Sequence, residues 1–263
     1  MTRNLPYLIV GHGIAGAMLA FAMFQRNVPF HVIDEGQTMT SSKVSSGLIN
    51  PITGRYFARS WMIEETLPFS RKVYREIEDL TGVELLRETS ICRVLRSVAQ
   101  ENEWASKMQR DAFGKYMDFW TDVPPFTLLD DDISLVRISP VLQLRSSKLI
   151  DALRNVWIAT DQLIENSFEY QDLSILKGGS FEYCGETYRG VIFCEGYQVK
   201  GNPYFKDIPI EPTKGEVILV RIKGNPATAI LKHHCFIIPW EDDLYWIGSN
   251  YEKFPGDVEV NMK

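Results

Sequence analysis

Short apolar blocks separated by glycine and polar interruptions dominate the first 35 positions of the chain. Tyr7–Val10 is a four-residue apolar run, and Gly11, Gly13 and Gly16 punctuate the positions immediately after it. From Ile14 to about Arg26 nearly every position is apolar, and after the turn-forming Asn27, Val28 and Pro29 comes a second apolar run, Phe30–Ile33. Runs this short fit buried strands, and the longer one fits a buried helix. A membrane anchor is the rival reading of Leu5–Phe24, because about 20 apolar residues can cross a bilayer. His12 would then lie within the span, the basic flank is only Arg3, and no small-residue cleavage site precedes a polar start. These features favour strand, tight turn and helix.

Further along, Trp61–Leu80 carries apolar residues at helical spacing, with Gly82 as a stop, and Val83–Ser97 alternates as strands do. A charged helix is predicted from about Ala99 to Phe113, a loop at Asp122–Asp132 around Pro124 and Pro125, and a capped helix at Ser146–Trp157. Tyr188–Val199 reads as a buried strand followed by a glycine turn. From Gly215 onward strands prevail, at Val217–Ile222, Phe236–Trp240 and Leu244–Ile247. The pattern predicts an α/β chain, α+β overall.

Composition narrows the chemistry. With 45% apolar residues in 263 the chain has material for a substantial core, and a net charge of -6 argues against a general nucleic-acid or anionic-membrane surface. The four cysteines contain no CxxC pair, and only two of the four histidines, His233 and His234, adjoin, so no metal site is expected.

The glycine turn carries a specific physical meaning if strand and helix flank it. Gly11 permits the turn, Gly13 lets the backbone amides of Ile14 and Ala15 approach a pyrophosphate, and Gly16 allows the helix to pack closely on the strand. The helix N-terminus supplies partial positive charge there, and His12 is expected to face outward. Asp34 follows the second strand 18 positions after Gly16, where an acid accepts hydrogen bonds from an adenosine ribose; Glu35 is its neighbour. An acid at this place disfavours the 2′-phosphate of NADP.

Thr38–Trp61 is unusually rich in small hydroxyl residues, which either bond phosphate and polyol oxygens or form an ordinary loop with helix caps. VGHGIAG, VIDEG and above all TSSKVSSGLINP resemble the flavin-dependent family of D-amino-acid oxidase, glycine oxidase and sarcosine oxidase. The resemblance implies that Ser41, Ser42 and Ser46 lie near the phosphates or ribityl chain, and the backbone of Gly47 and Leu48 near the reactive edge of the flavin. It also implies a cofactor contact at Gly196, although Glu195 replaces the small residue usual before it, and pairing of adenine with the backbone near Phe168. Lys43 departs from the pattern. The chain resembles the family through LYWIGSNYE, and the Gly-rich segment that comes next in the family is expected to be missing after GDVEVNMK, either because the gene is truncated there or because another chain completes the flavin site.

The resemblance thus implies FAD as cofactor, a Rossmann-like FAD-binding domain from residues 1–80 and 140–214 with an interleaved, mainly antiparallel β substrate domain from 81–139 and 215–263, and, as the reaction, oxidation of a C–N bond in a small amine or amino acid by hydride transfer to flavin N5. Arg55 is a candidate carboxylate fork, and Tyr245, with Trp246 and Tyr251, a candidate substrate wall. No catalytic residue is assigned. A cytoplasmic protein without nucleic-acid or membrane partners is expected, as a homo-oligomer or with a chain completing the site. The alternatives are an NAD-dependent dehydrogenase, which shares the first strand–helix–strand unit, and a non-catalytic or partner-dependent flavoprotein subunit.

Overall fold

The computed structural model describes residues 5–121, 134–224 and 227–253. The expected loop at Asp122–Asp132 and the GDVEVNMK end lie outside the described residues. The chain divides into two compact units, one formed by Met1–Ser45, Ile77–Glu84 and Ser146–Pro212, the other by Ser46–Glu76, Leu85–Arg145 and Thr213–Lys263. Residues 46–76, grouped by sequence with the cofactor domain, cluster with the second unit.

The first unit is built on a parallel sheet. Strands β1 (Tyr7–Val10) and β2 (Phe30–Ile33) pair in parallel, with Gly190–Phe193 on the other side of β1 and Leu163–Ile164 outside β2. Leu8, Ile9, Val32 and Ile33 are almost fully buried, which is why both strands read as unbroken apolar runs rather than alternating ones. Between β1 and β2 runs helix α1 (Ile14–Gln25), with Gly16, Ala17, Ala20 and Phe21 buried. Trp157 of the helix Ser146–Ala159 is fully buried against Phe24 and Phe30, at ring-centroid distances of 5.5 and 5.2 Å. Among the described residues no helix is long and apolar enough to cross a membrane; the greasy opening is instead divided between a strand and a helix.

A three-stranded antiparallel sheet, Leu173–Ile175, Phe181–Tyr183 and Glu186–Tyr188, completes this unit. Tyr183 and Tyr188 join Leu8, Val10 and Ile33 in one apolar cluster, against which Phe168 and Phe193 pack.

The second unit is an eight-stranded, mainly antiparallel sheet. Its long pair is Leu86–Val94 with Leu135–Leu144, and Val217–Arg221, Leu244–Gly248 and Phe236–Glu241 are joined in antiparallel order. A parallel pairing joins Ile230–Lys232 to the long strand Leu86–Val94. Ile91, Val136, Ile138, Val141, Leu142, Ile230 and Ile238 form the core beneath it, closed by Trp104. The helix expected over Ala99–Phe113 is two pieces, Val98–Met108 and Asp111–Gly114, with Arg110 in extended conformation between them. This mixed α/β architecture is the fold class that the sequence predicts.

Candidate functional site

The glycine turn is stitched to both neighbouring strands. Gly11 N–H donates to the Ile33 carbonyl at 2.9 Å, and Cys194 N–H donates to that of Val10 at 2.7 Å. Gly11 has φ +94°, and a Cβ there would lie 2.7 Å from the Cys194 oxygen. A Cβ on Gly16 would lie 1.9 Å from the Gly11 oxygen, so helix and turn approach as only glycine allows.

The amides of the turn have protein partners. His12 N–H donates to Asp34 Oδ2 at 2.8 Å, and Ile14 N–H donates to Ser42 Oγ at 3.0 Å. Gly13 caps α1 without a side chain, so the Ser42 hydroxyl takes the place of a capping oxygen. Ser42 is carried on a short helix, α2 (Ser41–Val44), rather than on a plain loop. Thr40 Oγ1 caps that helix by accepting Lys43 N–H, and Ser45 Oγ meets Ser146 Oγ at 2.9 Å. Lys43, which departs from the family pattern, pairs with Asp151 at 2.8 Å.

Asp34 is held from three directions. Besides His12, Gly36 N–H donates to Oδ1 at 2.8 Å and Arg154 Nη1 to Oδ1 at 2.7 Å. Arg154 Nη2 reaches the Asp34 carbonyl at 3.2 Å and Glu165 Oε1 at 3.0 Å. A carboxylate offers about four acceptor positions, so with three occupied Oδ2 retains one for an incoming hydroxyl. Glu35 Oε2 accepts Ser167 Oγ at 2.5 Å.

His12 does not face outward. It is 3% exposed, and among the described residues neither ring nitrogen has a partner. Burial drives its pKa from 6.5 down to about 4; Asp34 and Asp151 oppose the shift, Arg154 and Lys43 add to it. The imidazole is therefore neutral near pH 7.

Across the cleft, Glu195 is fixed by Tyr170, whose hydroxyl donates to Oε1, and by Asn202 Nδ2, which donates to Oε2 at 2.8 Å. Burial first, and then Glu195, pushes the Tyr170 phenol well above its ordinary range. Phe168 stacks on Tyr183 with centroids 4.7 Å apart. Its side chain is thus engaged in the core, while its backbone N–H and C=O bond to nothing among the described residues.

These pieces enclose a cleft of about 560 Å³ within the first unit. Gly11, Gly13, Ile14, Ala15, Asp34, Glu35, Ser41, Ser42, Phe168 and Gly196 all line it, together with His12, Lys43, Arg154, Tyr170 and Glu195. Gly16 lies behind it. Ser46, Gly47 and Leu48 belong to the second unit, where Leu48 pairs with Gln143. A Cβ on Gly47 would sit 1.8 Å from the Leu144 oxygen, so strand packing explains that glycine. Arg55 is exposed and lies over the Tyr56 ring, 4.6 Å from its centroid. Tyr245 is corrected from substrate wall to core: it is 1% exposed among Cys92, Val94, Ala227 and Leu231, and its hydroxyl accepts Ala227 N–H at 3.2 Å. Sequence reasoning missed Arg154, Tyr170 and Asn202, which no local motif marks; the histidine between two glycines was visible but was given the wrong side.

A first strand running through a glycine turn into a helix, with an acid at the end of the next parallel strand, defines a dinucleotide-binding α/β protein. Residues 7–262 match the model of the FAD dependent oxidoreductase family, and the chain belongs to that family, whose cofactor is FAD. It is similar in fold to glycine oxidase from Geobacillus kaustophilus, with a TM-score of 0.79 at 18% identity over 99% of this chain and 75% of that one. Iminodiacetate oxidase from Chelativorans sp. BNC1 is similar too, with a TM-score of 0.73 at 14% identity over 97% and 74%. L-proline dehydrogenase from P. horikoshii has a TM-score of 0.72 at 15% identity over 97% and 72%.

Proposed function

We propose that the cleft holds FAD and that the chain oxidises a C–N bond of a small amine or amino acid. The observation that carries the reading is convergence. Gly13 and Ile14 at the α1 N-terminus, Asp34 with its partly free carboxylate, and Phe168 with its unpartnered backbone all line one cleft. They match the chemistry of a diphosphate, a ribose hydroxyl and an adenine edge, which offers one acceptor and one donor. When bound, the flavin supplies hydride acceptance at N5.

The protein's own part is to bind and orient. Ser42 Oγ can release Ile14 N–H to a phosphate oxygen and remain as a further donor. Arg154 holds the Asp34 carboxylate in its aim, and Gly196, beside which a Cβ would meet nothing within 4 Å, leaves the opposite rim open to the cofactor. Ser46, Gly47 and Leu48 are assigned the flavin end on the family resemblance, and Arg55 a substrate carboxylate. Glycine oxidase, iminodiacetate oxidase and L-proline dehydrogenase act by name on glycine, iminodiacetate and proline, which supports an amine or amino-acid substrate. A cytoplasmic site of action is supported by Cys92, Cys184, Cys194 and Cys235, all free thiols.

Protein purified with FAD and desalted should retain flavin absorbance, and that absorbance should bleach anaerobically with one of glycine, sarcosine, iminodiacetate or proline. Protein that stays colourless overturns the cofactor assignment; flavin that none of these amines reduces overturns the substrate class.

A further inference from the structure

The charges around the cleft pose an electrostatic problem. Four acidic residues line it, Asp34, Glu35, Glu169 and Glu195, against two basic ones, Arg154 and Lys43. Acids thus outnumber cations before a diphosphate, itself a dianion, is brought to the α1 N-terminus. A helix end supplies only about half an elementary charge, too little to balance that ligand alone. A dianion held there calls for one of the two cations, and the geometry decides which.

Arg154 is committed elsewhere. Its guanidinium joins Asp34 Oδ1 at 2.7 Å, the Asp34 carbonyl at 3.2 Å and Glu165 Oε1 at 3.0 Å. Its withdrawal would strand an Asp34 carboxylate whose side chain is only 23% exposed. Lys43 is held by less. Its ammonium pairs with Asp151 at 2.8 Å, which uses one donor of three, and the Asp151 side chain is 53% exposed. Releasing that pair returns Asp151 to water at little cost. Lys43 also starts from the right place. It follows Ser42, whose Oγ accepts the Ile14 N–H at 3.0 Å and would lie 3.1 Å from a Cβ on Gly13. Helix α2 therefore holds the root of Lys43 beside the glycine turn, on a four-carbon stem that can swing without moving the backbone. The Lys43 charge is felt in the turn as well: burial is the main cause that keeps His12 neutral, and Arg154 and Lys43 add to it.

We propose that Lys43 is a phosphate-binding residue of the cleft, whose ammonium exchanges the Asp151 carboxylate for the diphosphate of the dinucleotide, a role that rests on the FAD reading above. One ion pair replaces another: Asp151 turns to solvent, and the ammonium donates to a phosphate oxygen beside the Ile14 amide. The exchange gives a use to the residue of TSSKVSSGLINP that departs from the family pattern. It also makes Asp151 a competitor of the ligand, so removing that acid tightens binding rather than weakening it.

Adenosine and ADP differ only by the diphosphate, so displacement of FAD from the whole chain by each, followed by flavin fluorescence, isolates a phosphate contact. In Lys43→Gln the affinity for ADP should fall about tenfold, the loss of one charge-assisted hydrogen bond, while adenosine competes as in the wild type. Asp151→Asn changes only an exposed side chain and should raise ADP affinity about threefold. That gain should vanish in the K43Q/D151N double variant, because the freed ammonium carries it. Equal losses for ADP and adenosine in K43Q would mean that the residue acts through the shape of the cleft and would overturn the proposal. So would an ADP affinity unchanged in K43Q, not raised in D151N, or still raised in the double variant. FAD that fails to bind the wild-type chain overturns the cofactor reading itself.

Discussion

Arg154 Nη1 lies 2.7 Å from Asp34 Oδ1 and so joins two residues 120 positions apart. The two side chains are only 13% and 23% exposed. One guanidinium also reaches the Asp34 carbonyl and Glu165. The acid that the sequence offers to a ribose is thus held by a helix that the sequence gives no reason to connect with it.

Arg154→Ala leaves the Asp34 carboxylate partly buried without its cation. A loss of ~2 kcal/mol is expected, because the pair lies between exposed and fully buried limits. Thermal unfolding should shift down by ~4–8 °C, and flavin fluorescence titration should show weaker binding. Arg154→Lys should restore little, since one ammonium cannot serve three acceptors in a plane. Unchanged melting and affinity in R154A would show that Asp34 is positioned by its backbone partners alone.

Acid should weaken the ligand-free protein through His12. Its folded pKa of about 4 lies below the ordinary 6.5, so the unfolded chain takes up the proton first. The stabilisation is complete above pH 6.5 and is lost as pH falls through about 4, a change of ~3 kcal/mol at most. Because carboxylates titrate in the same range, the comparison is between wild type and H12Q: chemical denaturation should give a flatter pH profile for the variant. Parallel profiles would mean that water already reaches the ring.

Glycines around the cleft should differ sharply in tolerance. Gly16→Ala places a methyl 1.9 Å from a backbone oxygen, whereas Gly196→Ala meets no atom within 4 Å and suffers only from φ +59°. The first should prevent soluble expression. The second should remain folded with a loss of ~1 kcal/mol, measured by denaturant titration. A well-folded G16A would show that α1 can move away from the turn.

Tyr245→Phe separates core from substrate wall. Removing the hydroxyl strands the Ala227 N–H, which should destabilise the protein by ~1–3 kcal/mol. KM for an oxidised amine should not change. A raised KM at unaltered stability would return Tyr245 to the substrate surface.

Much of the first unit was legible because its signals are local. Tyr7–Val10, Ile14–Gln25 and Phe30–Ile33 are short segments whose apolar runs end at glycine or proline turns, and the structure places all three within a residue of the expected bounds. The Ser-rich stretch was less legible: Thr40 caps a helix of only four residues, too short to show a period. Gly47 shows why a glycine motif underdetermines its reason, since strand packing and ring approach both exclude a side chain.

The order of amino acids alone set where strands, turns and helix fall at the dinucleotide motif, because hydrophobic period and backbone freedom act over a few residues. Packing between distant segments was needed to turn His12 inward, to bring Arg154 and Tyr170 into the cleft, to stack the Phe168 ring on Tyr183, and to seat Tyr245 in the core. Those outcomes depend on which surfaces of remote segments meet. Burial and hydrogen-bond satisfaction are settled there, not by the neighbours in the chain.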